Sequence, residues 1–375
     1  MATISGECET AFDEVSSLLS ESLDSGEDVG ASVCVIHEGR TVIDVWGGAA
    51  DVESGRPWER DTIINVFSTT KPMMSLAALM LVDRGELDPD APVSRYWPEF
   101  AANGKDAVLV SHLMAHTSGV SGWQEPITLE GIYDAEAASA ALAAQAPWWE
   151  PGTVSGYHAL NQGHLVGEVI RRITGQSLGE FFAKEIAEPT GADFFIGTPA
   201  SEDDRIATLI SPTSTDIDFS AATPDSVLMK TLTNPFLQVS KVASREWRGA
   251  EIGAANGHGN ARSVATAQAV VSHADGRYLG EKTLARIFEV HADGRDLVLG
   301  LPMRFGLGYG LSGPSTPQLP TGRVCWWTGY GGSVVVNDLD RSLTFAYVMN
   351  KMGSSLIGLG RAVKYLSSVY EVLGA

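Results

Sequence analysis

Cysteine, positive charge and long hydrophobic runs are all scarce in this sequence. Its three cysteines, Cys8, Cys34 and Cys325, are an odd number without Cys-x-x-Cys spacing, which argues against a disulfide framework or a zinc site and favours free thiols. No apolar run approaches the roughly 18 residues that span a bilayer, and the first residues lack the basic and apolar regions of a secretory signal. We therefore expect a cytoplasmic protein with no metal or other cofactor and no membrane partner.

The shortage of positive charge also narrows the classes of partner. Lys and Arg total 26 against 46 Asp and Glu, a formal net charge of −20, and such a surface repels nucleic acid and anionic membranes. Hydrophobic residues make up 44% of the 375 residues and charged residues 19%, a balance typical of a globular protein. This length exceeds what one core usually supports, so we expect two lobes that bind a small neutral or cationic molecule. Homo-oligomerisation stays open.

The most informative chemistry lies at Ser68 and Lys71, which open an apolar segment that is typical of a helix and ends at Gly85. Residues three apart on a helix share a face, so the amine can approach the hydroxyl at the positive end of the helix dipole. A serine needs an adjacent base to act as a nucleophile, and a lysine in a desolvated pocket can supply it. The same spacing also fits a capping serine beside a solvated lysine, so further motifs must decide.

The periodicity of apolar residues predicts which parts of the chain are strands and helices. A helical period covers residues 7–23 and again residues 356–373. The strand signals are at residues 29–37, 41–46, 63–67, 305–311, 323–328, 333–337 and 343–350. We therefore expect an α+β fold in which residues 1–87 and 295–375 form one lobe, an antiparallel sheet flanked by the N- and C-terminal helices. Residues 88–294 would form a mainly helical lobe, with the active site between the two lobes.

Three motifs in a fixed order narrow the class of protein further. They are Ser68-Thr69-Thr70-Lys71, then Tyr157-His158-Ala159 between a Pro-Gly turn and a helical segment, and Trp327-Thr328-Gly329-Tyr330 at a Gly-rich turn near the end. This order resembles the serine β-lactamase and penicillin-binding-protein superfamily, in particular its class C-like branch, and is most similar to the family VIII carboxylesterases. The resemblance covers residues 7–373, and it rests on the combination, because each motif alone is weak.

The resemblance implies a serine β-lactamase-like fold and a role for each matching residue. Ser68 would be the nucleophile that accepts the acyl group, Lys71 would take or relay its proton, and Tyr157 would protonate the leaving alcohol and activate water. The backbone N–H groups of Ser68 and Tyr330 would form the oxyanion hole. Taken alone, Tyr157 also fits a core aromatic residue that caps a helix.

Two departures from the β-lactamase pattern bear on the substrate. His158-Ala159 follows Tyr157 where class C enzymes have x-Asn, so the amide that binds the acylamido group is absent, and Trp327 replaces the lysine of Lys-Thr-Gly that binds a carboxylate. These changes favour a serine carboxylesterase that hydrolyses small, neutral, apolar esters. An amidase or peptidase, a weak β-lactamase and a transacylase are the alternatives. The residues expected to bind the substrate are Trp327, Thr328, Gly329, Trp123 and His258. The tryptophans also fit core positions, and His258 also fits a turn-stabilising role.

A rival nucleophile, Ser177, lies in a Gly-x-Ser-x-Gly sequence at residues 175–179, which matches the elbow of α/β-hydrolases. That elbow requires a preceding strand, whereas residues 169–174 are typical of the end of a helix. We therefore interpret Gly175 as the C-cap of one helix and Ser177 as the N-cap of the next. Asn350, after a predicted strand, fits either a site residue or the end of that strand.

Overall fold

Both ends of the chain contribute to one large antiparallel sheet in the computed structural model, which describes residues 1–216, 219 and 222–374. The N-terminal strands of this sheet are β1 (Ile4–Cys8), β2 (Gly30–His37), β3 (Arg40–Asp51) and β4 (Arg56–Pro57). A separate two-stranded ribbon pairs β5 (Ile64–Asn65) with β6 (His258–Gly259). The C-terminal strands of the large sheet are β7 (Ala292–Arg295), β8 (Pro302–Phe305), β9 (Gly310–Leu311), β10 (Val324–Thr328), β11 (Val334–Asp338) and β12 (Leu343–Met349).

The two halves of the chain meet in the middle of this sheet. The strand order is β1-β3-β2-β12-β11-β10-β9-β8-β7, with β4 beside β3. In the central pair, Val33 of β2 lies opposite Tyr347 of β12. Every residue of β11 and β12 is buried, so helices must cover both faces of the sheet there.

The helices supply these two covering layers. Within the described residues they are α1 (Asp13–Asp24), α2 (Thr70–Asp83), α3 (Val110–Met114), α4 (Ala135–Ala144), α5 (Gln162–Thr174), α6 (Leu178–Phe182), α7 (Glu188–Thr190), α8 (Val227–Thr233), α9 (Arg245–Gly249), α10 (Ala261–His273), α11 (Glu281–Ile287) and α12 (Ala362–Val372). Ser272 of α10 hydrogen bonds with Thr344 at 2.7 Å, whereas Tyr365 of α12 packs on Tyr347. Residues 344 and 347 are three apart on β12 and point to opposite faces, so α10 and α12 cover opposite sides of the sheet.

The predicted α+β fold is confirmed, with corrections at particular elements. The hairpin of β2 and β3 turns at Glu38 and Gly39, next to the strand signals at residues 29–37 and 41–46, but residues 7–23 are not one helix, because β1 pairs with β3 and α1 begins only at Asp13. Ile4 and Cys8 are four apart, a spacing that fits a strand face as well as a helix face. The predicted strand at 305–311 is divided into β8 and β9, since Gly308 has a φ of +86°.

α2 is the central helix of the protein. Its residues from Thr70 to Leu81 are all buried, and it packs against α5, α6, α10 and α11 and against β10. α10 lies within the range 88–294 that was expected to form the helical lobe, yet it packs on the sheet. No helix in the described part of the chain combines the length and apolar character needed to cross a membrane.

Candidate active site

A strained turn at Phe67 leads into α2 and positions Ser68. Phe67 has a φ of +45°, a left-handed conformation that is unfavourable for a bulky residue. Its carbonyl accepts hydrogen bonds from the backbone N–H of Thr70 at 2.9 Å and from the Thr70 hydroxyl at 2.5 Å. The same hydroxyl accepts the backbone N–H of Gly257 at 2.8 Å. These bonds hold the strained residue in place, so the position of Ser68 at the start of α2 is fixed.

The three side chains expected to act together are in direct contact. Ser68 Oγ lies 2.6 Å from Tyr157 Oη and 3.3 Å from Lys71 Nζ. The Lys71 ammonium or amine also lies over the Tyr157 ring, 4.6 Å from its centroid. Tyr157 comes from the loop before α5, so the contact joins two separate parts of the chain.

The surroundings of Lys71 favour the neutral amine. Its Nζ donates to the backbone carbonyls of Ala159 at 2.8 Å and Ala254 at 2.9 Å, and no carboxylate pairs with it in the described part of the chain. Burial therefore lowers the pKa of Lys71 well below its ordinary value of 10.5. Lys71 Nζ also lies within hydrogen-bond distance of Ser68 Oγ, and in a neutral amine the lone pair that the two N–H bonds leave can accept the hydroxyl hydrogen of Ser68. In its neutral form Lys71 can accept a proton from Ser68.

Tyr157 is arranged to keep its proton. Burial raises the pKa of the phenol, the hydrogen bond with Ser68 and the nearby indole of Trp327 offset part of this effect, and the carboxylate of Asp296 adds to it. Buried Asp296 also fixes the backbone, because its Oδ1 accepts the N–H of Tyr157 at 3.1 Å and two further backbone N–H groups. The Tyr157 ring packs against Trp327 and His116, with centroids 5.5 and 5.0 Å away. A neutral phenol so close to Ser68 can donate a proton to an oxygen bound there.

The turn after β10 is tied to the chain just before Ser68. The N–H of Gly329 donates to the carbonyl of Ser333 at 2.8 Å, and Ser333 Oγ donates to the carbonyl of Val66 at 2.9 Å. A side chain at position 329 would place its Cβ 2.1 Å from the Val66 carbonyl oxygen, so the close approach requires glycine. Within the described residues, the backbone N–H groups of Ser68 and Tyr330 have no hydrogen-bond partner. Both can therefore donate to a negative oxygen.

An open cleft of about 530 Å³ lies above Ser68. Its walls come mainly from residues 211–215 and from residues within 231–240, together with Phe67, Leu160 and Tyr330. None of the described residues that line it carries a charged side chain. The part of the chain that the structure describes contains no group of three or more His, Cys, Asp or Glu residues that could hold a metal ion. The cleft is suited to an uncharged organic ligand.

The three predicted substrate-binding residues of the Trp-Thr-Gly motif do not line this cleft. Trp327 is buried beside Tyr157, Thr328 Oγ1 accepts the backbone N–H of Gly358 at 3.2 Å, and Gly329 packs against the carbonyl of residue 66. These residues support the catalytic tyrosine candidate and the turn that carries Tyr330. The expectation of direct substrate contact is corrected accordingly.

Trp123 and His258 are also absent from the cleft lining. The Trp123 indole is buried among the helices, where its N–H donates to the carbonyl of Ala138 at 2.9 Å and its ring packs on His164. His258 is buried in β6 with Nδ1 2.9 Å from the carbonyl of Asn256. The Trp123 N–H and His258 Nδ1 both form hydrogen bonds within the protein, so the two residues occupy the structural positions that their sequence context also allowed.

The interpretation of Ser177 as a helix cap is confirmed. Its Oγ accepts the N–H of Glu180 at 3.2 Å, the Glu180 carboxylate accepts the N–H of Ser177, and Oγ donates to Glu251 at 2.7 Å. Gly175 ends α5 with a φ of +71°. Asn350 also has a structural role. Its side-chain amide accepts the N–H of Gly30 in β2 and donates to the carbonyl of Ala49 in β3, so it connects the two strands.

Two groups of site residues have no signal in the sequence. The carbonyls of Ala159 and Ala254 hold Lys71, and a backbone carbonyl leaves no trace in residue identity. The cleft walls at 211–215 and 231–240 come from segments with little strand or helix periodicity. Only the apolar cluster at 235–237 could have indicated a binding surface there.

The sheet with its helical layers and the serine–lysine–tyrosine contact together define this protein as one of the serine β-lactamase class. The family model described as Beta-lactamase matches residues 15–365, so the chain belongs to the beta-lactamase family. This finding confirms the resemblance that the ordered motifs predict.

Individual relatives agree with that assignment. The chain is 32% identical over 352 residues to the esterase/beta-lactamase LipL of Mycobacterium tuberculosis, with 88% of this chain and 78% of LipL covered. Among solved structures it is similar to a family VIII carboxylesterase, with 36% identity, a TM-score of 0.92, and 99% of this chain and 100% of the other covered. A penicillin-binding-protein homologue from Caulobacter crescentus matches with 34% identity, a TM-score of 0.89 and the same coverage.

Proposed function

We propose that this protein is a serine carboxylesterase that hydrolyses neutral, apolar esters through an acyl-enzyme on Ser68. The observation that carries the proposal is the position of Ser68 Oγ, which lies within hydrogen-bond distance of both Lys71 and Tyr157 beneath a cleft whose described lining residues carry no charged side chain. A buried amine without a counter-ion among the described residues and a buried phenol differ in proton affinity, which suits them to act as base and acid respectively.

The first half-reaction transfers the acyl group to the protein. Lys71 accepts the hydroxyl proton of Ser68 while Oγ attacks the ester carbonyl carbon, and the N–H groups of Ser68 and Tyr330 stabilise the resulting negative oxygen. The bond between the carbonyl carbon and the alcohol oxygen then breaks, and Tyr157 donates its proton to that oxygen. The proton held by Lys71 restores the phenol, so the neutral alcohol leaves and the acyl-enzyme remains.

The second half-reaction returns the protein to its first state. A water molecule attacks the acyl carbon, and Lys71 takes up its proton either directly or through Tyr157. The bond from the acyl carbon to Ser68 Oγ breaks, and the serine regains a proton from the same pair. The carboxylic acid is released and no cofactor is consumed.

The choice of an ester rests on the uncharged surroundings of the serine. Trp327 stands where the lysine of Lys-Thr-Gly would bind a carboxylate, and none of the described lining residues supplies another cation. The names of LipL and of the similar solved carboxylesterase point in the same direction. An amidase, a peptidase or a transacylase would use the same catalytic residues and would differ in the leaving group or the acyl acceptor.

A weak β-lactamase activity is the second candidate, since the name of LipL includes both activities. A missing charged hydrogen bond to the antibiotic carboxylate corresponds to a loss of roughly 10- to 100-fold in kcat/KM. We therefore expect kcat/KM for p-nitrophenyl butyrate to exceed that for a cephalosporin by at least this factor. Equal or faster cephalosporin turnover would reverse the order of the two candidates.

The test of the proposed function is a comparison of wild type, Ser68→Ala and the matched control Ser177→Ala on p-nitrophenyl butyrate, with intact-mass detection of the acyl adduct. Wild type and Ser177→Ala should both hydrolyse the ester and accumulate a butyryl adduct, and folded Ser68→Ala should do neither. Hydrolysis that persists in Ser68→Ala would place the nucleophile elsewhere and overturn the proposal.

A further inference from the structure

The cleft above Ser68 is much larger than a short ester requires. Its volume of about 530 Å³ lies within the range of pockets that bind drug-sized ligands. At about 30 Å³ per water molecule it has room for roughly 18 waters, and a methylene group is close to a water molecule in size. An acetyl or butyryl group would leave most of this space unfilled.

The side chains along one wall are of the kind that bind hydrocarbon. Leu232, Pro235, Phe236, Leu237 and Val239 all line the cleft and come from one short stretch of chain. The hydroxyl-bearing residues within 211–215 lie on the same cleft and add no charge. Because a hydrocarbon group gains free energy in proportion to the apolar area that it removes from water, this wall favours a long or bulky apolar substituent.

Two exposed aromatic side chains extend this surface to the rim of the cleft. Phe236 is 61% exposed and Phe219 is 36% exposed, and both belong to the cleft lining. Exposed apolar side chains that continue an apolar cleft form the kind of contiguous patch that marks a ligand-binding groove. Their position at the mouth allows a substituent to continue beyond the enclosed volume.

We infer that the ester which this site takes carries a hydrocarbon group of about eight or more carbons, since eight carbons fill less than half of the cleft, and that this group lies along residues 231–240. The inference rests on the proposed function and replaces the expectation of a small ester. This hydrocarbon group belongs either to the acyl part or to the alcohol part of the ester, and the experiment below distinguishes these two possibilities.

The expected effect is a rise of kcat/KM with chain length. Full burial of a methylene group corresponds to about a fourfold gain in kcat/KM. The cleft is open to solvent, so we expect a smaller gain for each carbon, and an overall ratio of octanoate to acetate of about 10 or more.

The experiment measures kcat/KM of the wild type on p-nitrophenyl acetate, butyrate and octanoate, below the solubility limit of each. A second series uses ethyl, butyl and octyl acetate, so that the chain varies on the alcohol side. Phe236→Ser probes the wall, and Val52→Ser is the matched control, because Val52 is 63% exposed and lies outside the cleft lining. Phe236→Ser should lower the ratio of octyl to short-chain activity several-fold, and Val52→Ser should leave that ratio unchanged.

Each outcome separates this inference from the proposed function. A rise in the first series assigns the long group to the acyl part, and a rise in the second assigns it to the alcohol part. Activity that is flat or falls with length in both series overturns the inference, while Ser68-dependent hydrolysis of acetate leaves the proposed function standing. A rise that Phe236→Ser does not alter would overturn the assignment to residues 231–240. An absence of all ester hydrolysis would reject the proposed function itself.

Discussion

Replacing Lys71 with methionine would separate the catalytic use of this lysine from its contribution to stability. Methionine keeps much of the side-chain length and removes the amine. Because Lys71 Nζ lies 3.3 Å from Ser68 Oγ and takes the serine proton in the proposed mechanism, we expect kcat/KM for p-nitrophenyl butyrate to fall about 10²- to 10⁴-fold, the usual contribution of a positioned base.

The same substitution has two opposite effects on the free energy of unfolding. Burial of the Lys71 amine away from water carries a free-energy cost, and the same burial lowers its pKa. Lys71→Met removes that cost, but it leaves the carbonyls of Ala159 and Ala254 without a donor, at about 1–3 kcal/mol each. The two effects have opposite signs, so we expect the net change in urea titrations at pH 7 to be smaller than the loss of about 2–6 kcal/mol that the two carbonyls alone would cause.

The pH dependence provides a second measure of the same residue. The pKa of Lys71 is lower in the folded protein than its ordinary value of 10.5, so the unfolded chain binds this proton more tightly. Between the pKa of Lys71 in the folded protein and its pKa in the unfolded chain, the free energy of unfolding of the wild type decreases as the pH falls. Lys71→Met has no amine to titrate, so this contribution to the pH dependence is absent in the variant. The activity of the wild type should fall once the pH drops below the lowered pKa, because a protonated amine cannot accept the Ser68 proton.

Lys105 offers a matched control for this prediction. It is also buried, it also donates to two backbone carbonyls, those of Ala102 and Gln145, and burial lowers its pKa to about 8. It does not line the cleft, so Lys105→Met should alter stability while the activity per folded molecule stays as in wild type. If folded Lys71→Met kept its activity within tenfold of wild type, Lys71 would not be the base.

Three further substitutions test other parts of the structure. Tyr157→Phe should lower kcat about 10²- to 10⁴-fold with little change in KM, because it removes the proton donor to the leaving alcohol; steady-state rates near those of wild type would contradict this. Ser177→Ala should lower the free energy of unfolding by about 0.5–2 kcal/mol through loss of a helix cap, with activity retained in the same preparation. Asp28 is buried and accepts hydrogen bonds from Ser22, Tyr347 and Arg361, so Asp28→Ala should cost about 3–5 kcal/mol in chemical unfolding, and a cost below 1 kcal/mol would refute the importance of this network.

The sequence was sufficient for the elements whose signals are local. The β2–β3 hairpin follows from two apolar strands around Glu38 and Gly39, and the start of α2 follows from Ser68 and the apolar residues after it. The first strand was missed because Ile4 and Cys8 satisfy both periodicities, and only pairing with β3 distinguishes them. Such pairing depends on residues about 40 positions away in the chain, and a local sequence pattern contains no information about them.

In the candidate site, too, some features could be predicted from local sequence and others depend on packing between distant parts of the chain. Ser68, Lys71 and Tyr157 were selected by motif, and their contact in the fold makes the assigned roles physically coherent, although those roles stay a prediction. Trp123 was selected because it lies near the motifs in sequence, and His258 because its Gly-rich segment resembles a loop that borders the cleft in the family. In the fold, the Trp123 N–H and His258 Nδ1 form hydrogen bonds inside the protein. Residue type gives the chemistry that a side chain can perform, whereas the direction in which it points depends on packing.

The central position of β12 has a consequence for how the protein is made. During synthesis β2 is available long before residues 343–349, yet β12 is the neighbour that covers one of its edges. All but the last residue of β2 is buried in the finished fold, so the nascent chain carries an unpaired apolar edge until nearly the whole protein has been translated. We therefore expect β12 to protect the chain from aggregation once it pairs with β2, and we expect a truncation before residue 343 to yield insoluble protein.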